Sequence, residues 1–239
     1  MATSENGTQA PKPKIEVDVD GPYRVEGNIP LVRKTQIVSE YGEPLTWQKE
    51  ETIETDGTYS LCRCGHSHDK PFCDCTHFEI GFDGTETAET SQTAERQVPL
   101  PGGTRITVRR DMSLCSESGF CGNRLGSLDN LIPSTSDPQV RAQVMGMIER
   151  CPSGSYVYSV DEKGPDVEPD LPVQIAVTTE FTDQGPIEGP LWVTGGIPVE
   201  RSDGQPFETR NRVTLCSCGQ SKHKPLCDGT HREHPTYKK

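Results

Sequence analysis

Residues 216–231 read CSCGQSKHKPLCDGTH, and residues 62–77 read CRCGHSHDKPFCDCTH. Each stretch opens on Cys-x-Cys, passes a serine and a proline, and closes on Cys-Asp and Thr-His. Proline, glycine and small polar residues between the cysteines make each a tight loop rather than a helix or strand. Together the loops bring eight thiol or imidazole groups into matching spacing: Cys62, Cys64, Cys73 and His77, then Cys216, Cys218, Cys227 and His231. Three soft thiolates with one imidazole suit zinc or iron–sulfur iron. Zinc knuckles space their first pair as Cys-x2-4-Cys around one ion. The shorter Cys-x-Cys favours a wider two-iron centre, with Cys216 and Cys218 on one iron and Cys227 and His231 on the other. A zinc-built interaction module stays open as the alternative.

These residues resemble the CDGSH iron–sulfur (NEET) domain, whose pattern is C-x-C-x2-[ST]-x3-P-x-C-D-G-[STA]-H. The second loop matches at Cys216, Cys218, Ser221, Pro225, Cys227, Asp228, Gly229, Thr230 and His231. The first matches at Cys62, Cys64, Ser67, Pro71, Cys73, Asp74, Thr76 and His77, and departs at Cys75, where the family has glycine. The resemblance implies a [2Fe-2S] cluster held by three Cys and one His in each loop. Cys75 reads as a tolerated small residue, or as an alternative ligand beside the iron or an oxidation-sensitive thiol. If its position needs a positive φ, a side chain there strains the loop.

The segments ahead of the two loops repeat one another. Gly21-Pro22-Tyr23 answers Gly189-Pro190-Leu191, Ile29-Pro30-Leu31 answers Ile197-Pro198-Val199, and Leu61-Cys62 answers Leu215-Cys216. Ile15 and Val17 alternate with acidic residues, as Ile175 and Val177 alternate with their neighbours, so both copies begin with half-buried strands. This is an internal duplication. The two copies are expected to pair within one chain about a pseudo-two-fold axis, as two chains do in anchored NEET proteins.

Between the copies lies a different unit. Residues 104–110 alternate as a strand. Asp137-Pro138 opens a helix, with Asp as N-cap and Pro at its first position, and Val140, Val144, Met147 and Ile148 form its inner face. Cys115 and Cys121, spaced Cys-x5-Cys, and Cys151 in CPSGSYVY resemble divergent single-cluster ferredoxins. With Ser118 where other ferredoxins place a further Cys, the resemblance implies [3Fe-4S], or [4Fe-4S] with a non-Cys ligand. The predicted class is therefore mainly β with a small α+β insert. The expected layout is a disordered tail at 1–14, CDGSH module 1 at 15–84 and a linker at 85–97. A single-cluster ferredoxin-like domain at 98–163, a linker at 164–172 and CDGSH module 2 at 173–235 complete it.

Composition sets the remaining bounds. Only 31% of the 239 residues are hydrophobic and 6% aromatic, with 23 Gly and 20 Pro, so small metal-stapled modules are expected rather than one large core. A net charge of −12 without a basic run argues against nucleic acid. No apolar run nears the roughly 18 residues of a membrane span, and no signal segment opens the chain. The ten cysteines cluster with histidines, which favours metal over a secreted disulfide framework and points to a reducing, cytoplasmic location. No catalytic triad or phosphate loop is visible, so a non-enzymatic electron carrier is expected. Its partner would be a redox protein or, for cluster delivery or redox sensing, an apo iron–sulfur protein. His66, His68, His223 and His234 read as surface residues, and Lys70 and Lys224 as solvated or hydrogen-bonded to a ligand sulfur. His77 and His231 are the expected control points, since a neutral ligand makes a cluster easier to reduce and a protonatable one makes it labile.

Overall fold

The computed structural model describes residues 12–124, 126–160 and 164–236. Residues 1–11 of the expected tail lie outside that range, and Lys14 already belongs to the first strand. The first copy contributes β1 (Lys14–Val17), β2 (Tyr23–Glu26), β3 (Leu31–Val38), β4 (Pro44–Ile53), β5 (Tyr59–Leu61) and the single turn α1 (Thr76–Glu79). After α2 (Thr93–Arg96) the insert supplies β6 (Val98–Pro99), β7 (Thr107–Arg110), β8 (Gly122–Asn123), β9 (Gly126–Ser127), α3 (Leu128–Leu131), α4 (Pro138–Arg150) and β10 (Tyr156–Ser159). The second copy supplies β11 (Gln174–Thr182), β12 (Gly185–Thr194), β13 (Val199–Glu200) and β14 (Arg212–Leu215). The chain is mainly β with a small α+β insert.

The two copies exchange strands. One sheet runs β13-β1-β2-β5 and the other β14-β12-β11-β3-β4, so each copy lends its third strand to its sister's sheet. The register is symmetric. Ile15 lies opposite Val199 in one parallel pair, and Ile175 opposite Leu31 in the other. Tyr23 pairs with Leu61 as Leu191 pairs with Leu215. The alternation seen in the sequence turns one face of each sheet inward, where Ile15, Tyr23, Val25 and Leu31 meet Ile175, Leu191, Val193 and Val199 in a single core. The sequence predicts small metal-stapled modules paired about a pseudo-two-fold axis, and the copies do pair within the chain, by exchanging strands. Strand exchange lets two poor half-cores bury their apolar faces against each other.

The insert has its own core, in which Val144, Met147 and Ile148 of α4 pack on Val108 and Tyr158. Asp137 caps α4 by accepting from the Gln139 N–H at 2.8 Å, as expected. Two features went unforeseen. The first is the β3–β4 hairpin, which has no counterpart in the second copy and reaches over the insert. Gln36 donates to the Ser118 carbonyl at 2.9 Å, and the Trp47 ring sits 5.5 Å from that of Phe120. The second concerns the segments read as linkers. Residues 85–97 are strapped down: the Thr87 and Ala88 N–H groups donate to the Lys224 carbonyl, Ala88 enters the shared core, and Thr93 bonds Glu208. Residues 164–172 are tied by Val167 N–H to the Tyr158 carbonyl at 2.7 Å. Polar composition suggested loose connectors; the backbone donors and short side chains of these residues are satisfied by neighbouring modules instead.

Candidate metal centres

Both cysteine loops are built the same way. Cys62 N–H donates to the Pro71 carbonyl and Cys216 N–H to that of Pro225, each at 2.8 Å. Cys73 N–H and Cys227 N–H reach back to Ser60 and Thr214, each at 2.9 Å, tying the third ligand to the last strand. Ser67 and Ser221 donate to Phe72 and Leu226, both at 2.6 Å. Asp74 accepts from the His68 and Thr76 N–H groups, and Asp228 from those of Lys222 and Thr230, so both aspartates cap the turn. These bonds, the His68 N–H first among them, hold Asp74 well below the usual carboxylate range. The Lys70-Pro71 and Lys224-Pro225 peptide bonds are both cis.

The donors come in pairs. Cys62 and Cys64 sulfurs lie 3.8 Å apart, as do those of Cys216 and Cys218. Cys73 Sγ stands 3.4 Å from His77 Nδ1, and Cys227 Sγ 3.4 Å from His231 Nδ1. Two sulfurs about 2.3 Å from one tetrahedral metal stand about 3.8 Å apart, and a sulfur with a nitrogen about 3.5 Å apart. Each loop thus offers two preformed half-sites, one S,S and one S,N. Among the described residues no three such donors form a site for a single ion. A diiron cluster would fit this arrangement, with one iron at each pair.

Burial opposes free thiolates here. It pushes Cys227 and Cys73 up, and Cys64 up to about 11. In the buried Cys216–Cys218 pair the hydrogen bond from Cys218, helped by N–H groups of Ser221 and Gly219, lowers Cys216 and raises Cys218. Such pockets suit thiolates whose charge is offset by iron, and loading them releases protons.

The loops also touch. A Cβ on Gly65 would fall 2.4 Å from the Cys218 carbonyl oxygen, and one on Gly219 would fall 2.4 Å from that of Cys64. Tyr23 of the first copy donates to the Cys216 carbonyl at 2.9 Å. The third set of cysteines joins the same group. Burial first, and then the charges of Cys151 and Cys121, disfavour a thiolate at Cys115, and burial with the charge of Cys151 does so at Cys121. Cys151 differs in being brought down: burial opposes ionisation there, but Arg212 and hydrogen bonds from Ser153 and Ser155 outweigh it. Fully buried Arg212 donates to the carbonyls of Ile148, Glu149 and Cys151, closing the end of α4. Beside Cys115, the Ser116 hydroxyl is buried without a partner, as is Nη2 of Arg212. Both are donors that a sulfide-bearing cluster would satisfy. The Cys115–Cys121 loop meets the second CDGSH loop directly, because a Cβ on Gly229 would fall 2.6 Å from Glu117 Cγ.

Comparison with known families agrees with this geometry. The family described as iron-binding zinc finger CDGSH type matches residues 20–78 and 188–232, and the divergent 4Fe-4S mono-cluster family matches residues 102–161. The chain is an iron–sulfur protein with two CDGSH segments flanking a divergent mono-cluster segment. No curated protein matches it.

The two CDGSH loops differ in detail. Cys75 is exposed and left-handed, with φ 71°, where Gly229 has φ 88°. A side chain in that region costs about 1–2 kcal/mol. Cys75→Gly is therefore expected to raise stability by about 1 kcal/mol, part of the gain being lost to the freer unfolded chain. A thermal melt of the holoprotein that is unmoved or lowered would contradict this. Neither loop lysine reaches a ligand sulfur: Lys70 pairs with Glu188 at 2.5 Å, and Lys224 donates to the Ser221 carbonyl at 2.9 Å. His66, His68 and His234 are exposed and His223 is half-buried. The pairing glycines, Arg212 and Glu117 were missed in the sequence. The glycines alone left a signal, as both copies read Cys-x-Cys-Gly.

Proposed function

We propose that the protein is a multi-cluster electron carrier. In this reading each CDGSH loop holds a [2Fe-2S] cluster through its three Cys and one His, and Cys115, Cys121 and Cys151 hold a [3Fe-4S] cluster, or a [4Fe-4S] cluster with a non-Cys ligand. The observation that carries it is the contact order of the three loops. The insert touches loop 216–231 at Glu117 and Gly229, and that loop touches loop 62–77 at Gly219 and Gly65. Bound clusters would supply one-electron chemistry. The chain's own residues set the wiring by packing ligand loops against one another, backbone to backbone at Gly65 and Gly219 and through the Glu117 side chain at Gly229. Loop 216–231 lies in the middle of this series; both loops bury most of their ligands, and exposed Cys75 and Phe78 flank those of the first, at its open end. A redox partner protein would meet the chain at that open end.

Exposure of the first loop also favours a second reading, delivery of a cluster to an apo iron–sulfur protein. Reductive titration in the presence of an apo-ferredoxin separates the two. A carrier is reduced and reoxidised with its iron retained, and a donor loses iron to the acceptor. His231→Cys adds a negative charge to its site, so the potential of that cluster is expected to fall by roughly a hundred millivolts, a fraction of the gap between Rieske and all-Cys centres. Potentiometry that finds no change would count against histidine ligation.

A further inference from the structure

The duplicated loops are not equivalent around their histidines, and the difference traces to one insertion. In the first copy β1 stops at Val17 and the chain turns through 18–21 into β2. In the second copy the corresponding strand runs on past a bulge between Val177 and Thr179, and the β11–β12 hairpin is longer. The extension carries Glu180, whose side chain is wholly buried. Its Oε2 lies 3.1 Å from His231 Nε2 and 2.6 Å from Arg232 Nη1, while Oε1 has no partner. Room for it comes from Gly189, where a Cβ would fall 3.0 Å from Glu180 Cγ. Burying a carboxylate this way is costly unless it is paired, so its position calls for an explanation. His77 has no such partner among the described residues. Its ring lies against Phe78 with centroids 4.1 Å apart, and Phe78 stands where the second copy has Arg232.

The geometry points to Glu180 as a positioning residue that makes the two CDGSH centres unequal. This deepens the proposed function and rests on its assignment of His77 and His231 as ligands. By accepting from Nε2–H, Glu180 fixes the His231 tautomer and turns Nδ1 toward Cys227, its partner in the S,N pair. A carboxylate behind a ligating imidazole raises its donor strength and its hold on metal. Arg232 moderates that effect by sharing the same oxygen. The second centre should therefore be the harder to reduce and the slower to lose iron. The first, without a carboxylate, should be the easier on both counts.

The test compares the full-length holoprotein with Glu180→Gln and Glu180→Asp, using potentiometric EPR and the rate of iron loss to a chelator. Glutamine keeps shape and an acceptor oxygen but removes the charge; aspartate keeps the charge on a shorter stem. Wild type should show two diiron signals titrating at separate potentials, with iron lost in two phases. In Glu180→Gln the lower-potential signal should move up toward the other and the slow phase should quicken about tenfold or more, with the first signal unmoved. Glu180→Asp should recover part of both shifts. Equal signals in wild type, a Gln variant that moves both or neither, or an Asp variant no better than Gln would overturn the inference while leaving histidine ligation intact. Protein without diiron signals would overturn both readings. If Glu180→Gln fails to fold, the wild-type split and the Asp variant still decide the matter.

Discussion

Replacing Gly219 with valine is expected to unfold the join between the copies and strip iron from both CDGSH loops. Gly219 has φ 78°, a region that costs a side chain about 1–2 kcal/mol. Its Cβ would also enter the Cys64 backbone, and overpacking of that kind costs about 1–3 kcal/mol. Backbone cannot swing aside as a flexible side chain can, and Cys64 is itself a proposed ligand. The sum, roughly 2–5 kcal/mol, is a large share of a typical domain's stability. Gly65→Val should behave alike, because its Cβ would strike the Cys218 carbonyl. Gly42→Ala provides the control, since φ there is 77° but no atom lies within 4 Å of the added Cβ. That variant should lose about 1 kcal/mol and no iron. Iron content and melting temperature read all three. A Gly219→Val protein that keeps its iron in both loops would show that the loops do not depend on each other.

Removing the clusters is expected to cost more than any substitution. Each loop is sixteen residues of turn, and burial raises the thiols of Cys64, Cys73 and Cys227 within it, so the loops lack what a bound cluster would supply. Metal binding in small metal-stapled units contributes on the order of 10 kcal/mol. At about 2–4 °C per kcal/mol for a chain of this size, the apoprotein should melt roughly 20 °C or more below the holoprotein. The loss should be local at first. Hydrogen exchange at 62–77 and 216–231 should become fast, while Val25 and Val193, on inner strands of the shared core, stay protected. The insert core around Val108 and Ile148 should outlast the loops as well. An apoprotein that melts with the holoprotein would mean that strands alone hold the loops in place.

Much of this was legible beforehand because the signals were local. Cys-x-Cys through Thr-His fixes both loops, the Gly-Pro and Ile-Pro landmarks reveal the duplication, and Asp137-Pro138 marks the start of α4. What escaped depends on distant parts of the chain. Nothing near Leu31 or Val199 says that the third strand crosses to the other copy's sheet; only packing of two half-cores selects it. The β3–β4 hairpin reads as polar because most of β4 faces solvent, so its role in clamping Ser118 and Phe120 is silent in the sequence. Glu180 sits 51 residues from His231, and one carboxylate in an acidic chain gives no hint of burial. The anchoring of residues 85–97 is silent in the sequence for the same reason, since Lys224 and Glu208, to which they bond, lie in the second copy.

In the proposed function, paired S,S and S,N half-sites hold diiron clusters beside a third cluster in the insert. That arrangement is tested most directly by counting iron and acid-labile sulfide in protein isolated without oxygen, with EPR of the reduced form. The expected result is coloured protein with roughly seven or eight irons per chain, a matching share of sulfide, and diiron signals accompanied by one from a larger cluster. Colourless protein carrying zinc and no labile sulfide would contradict it.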